Sequence, residues 1–215
     1  RGSGYGCRFL ERCTMSTVGV VIATFGENIW RLAAEGHVAI AKDCYGADEV
    51  IHVHGSDLAS ARNQGAREIG TDYIVFLDAD DKLCYNYCGI LKENLEEGNI
   101  LYQPQTMAMK NGLYEGEPNF IPDRDMNVSN NLVIGTAITA RYGVEFDPVL
   151  PALEDWDFFL RMISLGAKVK QVPGMVYYVG IYDFSRNSPS GDHDQAYQII
   201  RRKGIQVSDY LWEYK

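Results

Sequence analysis

The stretch YIVFLDADDKL, residues 73–83, joins an apolar run directly to a group of acids. Five apolar or aromatic residues are followed within four positions by Asp78, Asp80 and Asp81. Such a run is typical of a parallel strand that is covered on both faces. Ligands of doubly wound sheets bind at the carboxyl ends of strands, so these acids mark a candidate site. Taken alone, the stretch also fits an acidic loop that caps the next helix, with Asp81 near the helix N-terminus.

Strands and helices alternate upstream of this stretch. Residues 17–25 and 48–54 have the pattern of strands, and residues 27–43 and 57–69 that of helices. The first helix carries apolar residues at helical spacing, which predicts its buried face: Ile29, Leu32, Ala33, Val38 and Ile40. The order predicts an α/β fold with a mostly parallel central sheet flanked by helices.

The second half of the chain has a mixed α+β pattern. Helices are expected over residues 84–97, 154–166 and 190–203, and strands over 99–107, 130–140, 168–173 and 175–180, with a loop over 110–128. We expect residues 1–15 to be a leader that is not native to the protein, and the fold to begin after it.

Composition restricts the function classes. The chain has 215 residues, a net charge of −9 and a pI near 4.9, which suits one core and disfavours nucleic acid or an anionic membrane as the main partner. No apolar run reaches the roughly 20 residues of a membrane span. Five cysteines without a C-x-x-C pair favour a reducing compartment, so a cytoplasmic location is expected.

A second acid cluster opens the helix at 154–166. Its members are Glu154, Asp155 and Asp157, and the helix behind them is apolar nearly all round, which predicts that it is buried. Helix capping alone could explain these acids. However, Asp155 shares a helix face with aromatic side chains, and a carboxylate in such surroundings has the raised proton affinity of a general base.

Arg62 and four histidines are weaker candidates. Arg62 lies among alanines, which predicts close packing with the guanidinium turned toward a polar site. His54 ends the second strand, and His52 is expected on the opposite face. His193 in a polar loop could hold a metal or phosphate, although a solvated side chain is the favoured explanation. His37 shows no sign of a role.

Taken in order, these motifs resemble those of the GT-A fold glycosyltransferases of family 2. VVIATFGE (20–27) resembles the opening strand and turn of the family. ASARNQGAREIGTDYIVFLDADD (59–81) resembles its Ala-Arg-Asn-x-Gly helix and D-x-D strand. Residues 143–178 resemble its Gly-Phe-Asp segment, Glu-Asp motif and following strands. The resemblance covers roughly residues 17–187, and it implies a single GT-A domain at 16–204.

The resemblance implies a donor site for a nucleotide-diphosphate sugar. Asp80 would bind Mn²⁺ or Mg²⁺, and Asp78 would contact the donor directly or through the metal. Arg62 would help to hold the base or ribose. The residues expected to border the base are Ala23, Thr24, Phe25 and His54. On this interpretation the nucleotide-binding half is about 16–107, the acceptor half about 108–204, and 205–215 form a C-terminal tail.

On the acceptor side, the resemblance makes Asp155 the general base, with Glu154 orienting the acceptor or a neighbouring loop. It implies an inverting, metal-dependent transfer, with a UDP-sugar favoured as donor. The sequence names neither the acceptor nor the oligomeric state. A retaining GT-A transferase, a nucleotidyltransferase and a non-catalytic sugar- or metal-binding module stay open as alternatives.

This chain departs from the family pattern in several places. Residues 23–26 are Ala-Thr-Phe-Gly where the family usually has Pro-Thr-Tyr-Asn, and His54 stands where an acid usually reads the base. One helix–strand unit before the Ala-Arg-Asn helix is missing. Residues 186–187 (Arg-Asn) or His193 are candidates to grip the diphosphate.

Overall fold

The computed structural model describes residues 16–122, 125–182 and 191–206. Within them the chain forms, in order, β1 (Val18–Phe25), α1 (Asn28–Tyr45), β2 (Glu49–Gly55), α2 (Leu58–Glu68), β3 (Tyr73–Asp78), β4 (Lys82–Leu83), α3 (Tyr87–Glu93), β5 (Ile100–Lys110), β6 (Leu113–Asn119), β7 (Ile138–Thr139), α4 (Glu154–Ser164), β8 (Lys168–Ile181) and α5 (Gly191–Arg202). None of these helices is long and apolar enough to cross a membrane.

The front half is the predicted parallel sheet. Its strand order is β2-β1-β3-β7; the first three strands are parallel and β7 is antiparallel. In this register Ala23 lies opposite Asp78, and Thr24 lies opposite His54. The carboxyl ends of three strands therefore meet at one edge, where the residues expected to bind a donor lie.

The back half is the predicted mixed α+β unit, built on a sheet of order β4-β8-β5-β6. Three predictions were wrong in detail. The loop expected at 110–128 contains β6, which forms a hairpin with β5. The strand expected at 130–140 is reduced to β7 and one bridge between Tyr102 and Ala137. The two short strands expected at 168–180 are one strand, β8, whose pairing with β5 is interrupted between Pro104 and Gln105.

The buried face of α1 is not the predicted one. Ile29 and Leu32 are 56% and 60% exposed, and Val38 and Ile40 are also exposed. The buried residues are Ala34, His37, Ala41 and Tyr45. Both sets have helical spacing, and the set containing two alanines allows the closer approach of the helix to the sheet. A polar side chain, His37, is thereby buried against the sheet.

The structure confirms the prediction for helix α4 and contradicts the one for helix α3. The prediction that α4 is buried is confirmed, since its apolar residues between Trp156 and Ile163 are nearly inaccessible. Helix α3 begins only at Tyr87, after Asn86, so Asp81 does not cap it. The expected leader, residues 1–15, and most of the expected tail, 207–215, lie outside the described residues.

Candidate active site

A buried arginine joins the two acid clusters. Arg62 lies on α2, whose first turn is capped by Asp57, and its side chain is only 2% exposed. Its Nη2 donates to Asp78 Oδ1 (2.6 Å) and its Nη1 donates to Glu154 Oε1 (2.8 Å). Burial alone would lower the pKa of Arg62, but the two carboxylates raise it above its usual value. One guanidinium thus holds the end of β3 and the start of α4 together.

The neighbouring Asn63 anchors the loop before α4. Its Nδ2 donates to the Phe146 carbonyl, and its Oδ1 accepts from the Phe146 N–H, both at 2.7 Å. The Phe146 ring stacks on Phe158 of α4, with centroids 4.0 Å apart, and lies 5.2 Å from the Arg62 guanidinium carbon. The Arg-Asn pair therefore positions both α4 and the loop that leads to it.

Asp155 is the acid of the second cluster that suits proton transfer. Burial, followed by the charge of Glu154, raises its pKa to about 6, and Arg62 opposes this shift. Asn130 Nδ2 donates to Asp155 Oδ2 (3.1 Å) and orients the carboxylate. Nothing in the sequence had marked Asn130, because it lies 25 residues away in a polar stretch.

Asp157 separates from its two neighbours in the sequence. It is fully buried on another face of α4, where it accepts from Arg161 (2.8 Å) and from Lys203 Nζ (2.6 Å). These two cations balance its charge, and Lys203, which directly follows α5, ties the end of that helix to α4. Asp157 therefore has a structural role.

The acids of the β3–β4 turn have distinct environments. Burial, followed by the charge of Asp78, raises the pKa of Asp80 to about 6. Asp81 is buried more deeply and accepts from the Tyr177 hydroxyl (2.5 Å) and the Gly180 N–H (2.6 Å). Burial raises the pKa of Asp81 well above its usual value. Asp81 thus fixes the turn to β8, in place of the helix-capping role that the sequence had suggested.

At the carboxyl edge of β1 and β2, the hydroxyl of Thr24 lies between two histidines. Thr24 Oγ1 is 2.8 Å from His52 Nε2 and 3.0 Å from His54 Nδ1. The expectation that His52 points to the opposite face was wrong, because residues two apart on a strand share a face. Burial lowers the pKa of His52. Ala23 is buried beside them, and Phe25 is only partly buried.

Among the described residues, no group of three His, Cys, Asp or Glu side chains forms a metal site. His193 lies in the first turn of α5, within the helix expected at 190–203 and not in a loop. The other candidates for gripping a diphosphate, residues 186–187, lie outside the described residues.

The comparisons with known proteins agree on one family. The family model described as glycosyl transferase family 2 matches residues 35–144, which are 110 of the 215 residues. A search of curated proteins gave no match.

Similar solved structures include those of S. aureus TarS. One TarS structure has a TM-score of 0.56 at 13% identity over 90% of this chain, which spans 40% of the TarS chain. A structure of TarS 1–349 in complex with UDP-GlcNAc has a TM-score of 0.58 at 11% identity, covering 90% of this chain and 68% of that one. A structure of the same fragment in complex with UDP has a TM-score of 0.56 at 13% identity, and the match covers 90% of this chain and 67% of that one. At these identities the likeness shows the fold alone.

Proposed function

The chain belongs to glycosyl transferase family 2, with the single GT-A domain of that family, and we propose that it moves a sugar from a nucleotide-diphosphate sugar to an acceptor hydroxyl with inversion. A UDP-sugar is the favoured donor, because the similar TarS fragment is described in complexes with UDP-GlcNAc and with UDP. The observation that carries the proposal is Arg62, which contacts Asp78 of the strand-end cluster and Glu154 of the helix-start cluster.

The acids of the turn fit a divalent cation. Asp80 is partly buried beside Asp78, and within the described residues it has no ion pair with a cation. Mg²⁺ and Mn²⁺ prefer oxygen ligands, and Mg²⁺ is commonly held by one or two carboxylates together with substrate phosphates and water. Asp80, with Asp78, would therefore hold Mn²⁺ or Mg²⁺. When bound, the cation would offset charge that develops on the leaving diphosphate.

Asp155 acts as the general base in this proposal. Its pKa of about 6 leaves it ionised at neutral pH while keeping its affinity for a proton higher than that of an ordinary aspartate. The bond from Asn130 fixes one carboxylate oxygen, so the carboxylate has a defined orientation toward the acceptor hydroxyl. Removal of the acceptor proton as the hydroxyl attacks the far face of the sugar gives inversion in one displacement.

Arg62 acts through the acids that it touches. Since its side chain is buried and both terminal nitrogens bind carboxylates, we assign it the positioning of Asp78 and Glu154 in place of direct contact with the base or ribose. Glu154 in turn lies beside Asp155, the proposed general base, and raises the pKa of Asp155. Thr24, Ala23, Phe25 and His54 border the nucleotide at the sheet edge in this proposal.

The experiment compares UDP release from UDP-GlcNAc and other UDP-sugars, with Mn²⁺ present, for wild type, Asp155→Asn and the control Asp43→Asn. Asp43 lies exposed on α1, away from both clusters. Loss of a general base costs about 10²- to 10⁴-fold in rate, so we expect a loss of that size for Asp155→Asn alone, with UDP binding retained. An Asp155→Asn enzyme that turns over at the wild-type rate contradicts the assignment. NMR of the product anomer separates inversion from retention.

A further inference from the structure

We propose that His37 is a positioning residue that fixes the turn carrying the metal-binding acids. The inference rests on the proposed function, because it concerns the turn that would hold the cation. His37 lies on α1 and belongs to neither acid cluster. It is buried, and its Nε2 is 3.2 Å from the carbonyl oxygen of Ala79, the middle residue of the Asp78-Ala79-Asp80 turn.

The contacts of His37 define its protonation. A carbonyl oxygen can only accept, so Nε2 must carry the proton that bonds Ala79. In a neutral ring Nδ1 is then an acceptor, and the Tyr45 hydroxyl lies 3.1 Å from it, positioned to donate. Burial lowers the pKa of His37, which keeps the ring neutral. Tyr45 therefore selects the tautomer that holds the turn.

Each peptide carbonyl of the turn has a different restraint. The Asp78 carbonyl accepts from the Asp81 N–H at 3.1 Å. The Ala79 carbonyl accepts from His37. The Asp80 carbonyl lies against Gly180, where an added Cβ would be only 2.1 Å from the oxygen. Within the described hydrogen bonds, His37 supplies the one side chain that reaches the middle of the turn.

This restraint matters because the carboxylates of the turn repel each other. Asp78, Asp80 and Asp81 lie within four consecutive positions at one turn, so their charges are close. A turn without the His37 bond could relax so that the acids move apart, and the cation would then lose part of its preformed site. Loss of a group that orients metal ligands typically costs about 10- to 100-fold in metal affinity.

The variants separate positioning from packing. His37→Leu fills the space but cannot donate, so we expect Mn²⁺-dependent UDP affinity, measured by calorimetry, to fall by about 10- to 100-fold. His37→Gln carries an amide N–H that can reach Ala79, and we expect it to bind closer to wild type than to the leucine variant. Tyr142→Phe is the control, because it removes a bond to another backbone carbonyl, that of Met162, far from the turn.

NMR of ¹⁵N-labelled wild-type protein tests the hydrogen bond without any ligand. We expect His37 to be the neutral Nε2–H tautomer with a slowly exchanging ring proton. The opposite tautomer, wild-type binding by His37→Leu, or equal losses in the leucine and glutamine variants would each overturn the inference. If the leucine variant does not fold, Tyr45→Phe replaces it and should weaken binding and mix the tautomers. If the wild-type protein binds no UDP, the proposed function is refuted. The tautomer of His37 measured by NMR still shows whether its hydrogen bond to Ala79 exists, independently of that result.

Discussion

Replacing Arg62 by methionine removes the charge that both acid clusters share. Methionine keeps an unbranched side chain at position 62 of α2. However, the carboxylates of Asp78 and Glu154 then lose the cation that both contact. These acceptors are 27% and 17% exposed, whereas Arg62 is 2% exposed. The guanidinium of Arg62 is therefore almost fully removed from water, whereas the two carboxylates keep part of their hydration.

The expected cost follows from this burial. Breaking a buried ion pair by removing one partner costs about 3–5 kcal/mol, and the partial hydration of the acids favours the lower end, about 3 kcal/mol. For a chain of this size each kcal/mol lowers Tm by about 2–4 °C, so a fall of about 6–12 °C is expected. Arg67→Met is the matched control. Arg67 pairs with Glu145 at 2.8 Å, but both side chains are about 60% exposed, so the control should cost less than about 1 kcal/mol.

A double-mutant cycle makes the test sharper, because the sign of one effect should reverse. In wild type, Glu154→Gln loses a charge-assisted hydrogen bond from Arg62 and should destabilise the protein. In the Arg62→Met background the same change removes a stranded charge and should stabilise it. Urea unfolding of the four proteins at pH 7.5 gives the coupling energy. An equal cost of Glu154→Gln in both backgrounds would refute the view that one guanidinium balances the two acids.

Three further predictions concern the acids and the loop before α4. In metal-free buffer at pH 7.5, Asp80→Asn should stabilise the protein by about 1–3 kcal/mol, because the pKa of Asp80 is raised to about 6 in the folded state. In thermal melts this gain in stability should shrink as the pH falls from 6 to 4, since Asp80 of the folded wild type then takes up its proton. Asn63→Ala removes both bonds to Phe146 and should cost about 2–4 kcal/mol in urea unfolding, whereas an unchanged midpoint would contradict the anchoring role. The pH–rate profile of UDP release should fall on the acid side near pH 6 as Asp155 takes up a proton, and Asp155→Asn should abolish this limb.

The sequence was sufficient to place the candidate residues that lie at the ends of regular elements. A strand followed by acids, a small-residue helix before it and a buried helix opened by acids each have a local signature. The parallel topology then brings them to one edge, as the register of Ala23 opposite Asp78 shows. Motif order therefore predicted which elements would lie together, although not that Arg62 would contact both Asp78 and Glu154.

The wrong predictions concern the buried face of α1 and the partners of Asp81, and the periodicity of the sequence determines neither. Helix α1 has two apolar faces, and the more hydrophobic one, with Ile29 and Leu32, is exposed, because the face with Ala34 and Ala41 fits the sheet more closely. Asp81 meets Tyr177 and Gly180, partners 96 and 99 residues away. Such contacts arise from the docking of β8 against the turn, and no local pattern around residue 81 indicates them.

The position of Arg62 also changes how the family motif is understood in this chain. A guanidinium that is buried between two carboxylates is shielded from a ligand, but it holds Asp78, on the proposed donor side, and Glu154, on the proposed acceptor side, in fixed relation. Its charge lowers the pKa of Asp155, against the effects of burial and Glu154, so the proton affinity of the proposed base depends on the same contact. Removing Arg62 should therefore raise the pKa of Asp155 and shift the acid limb of the rate profile to higher pH. A simple nucleotide contact would weaken donor binding and leave that limb in place.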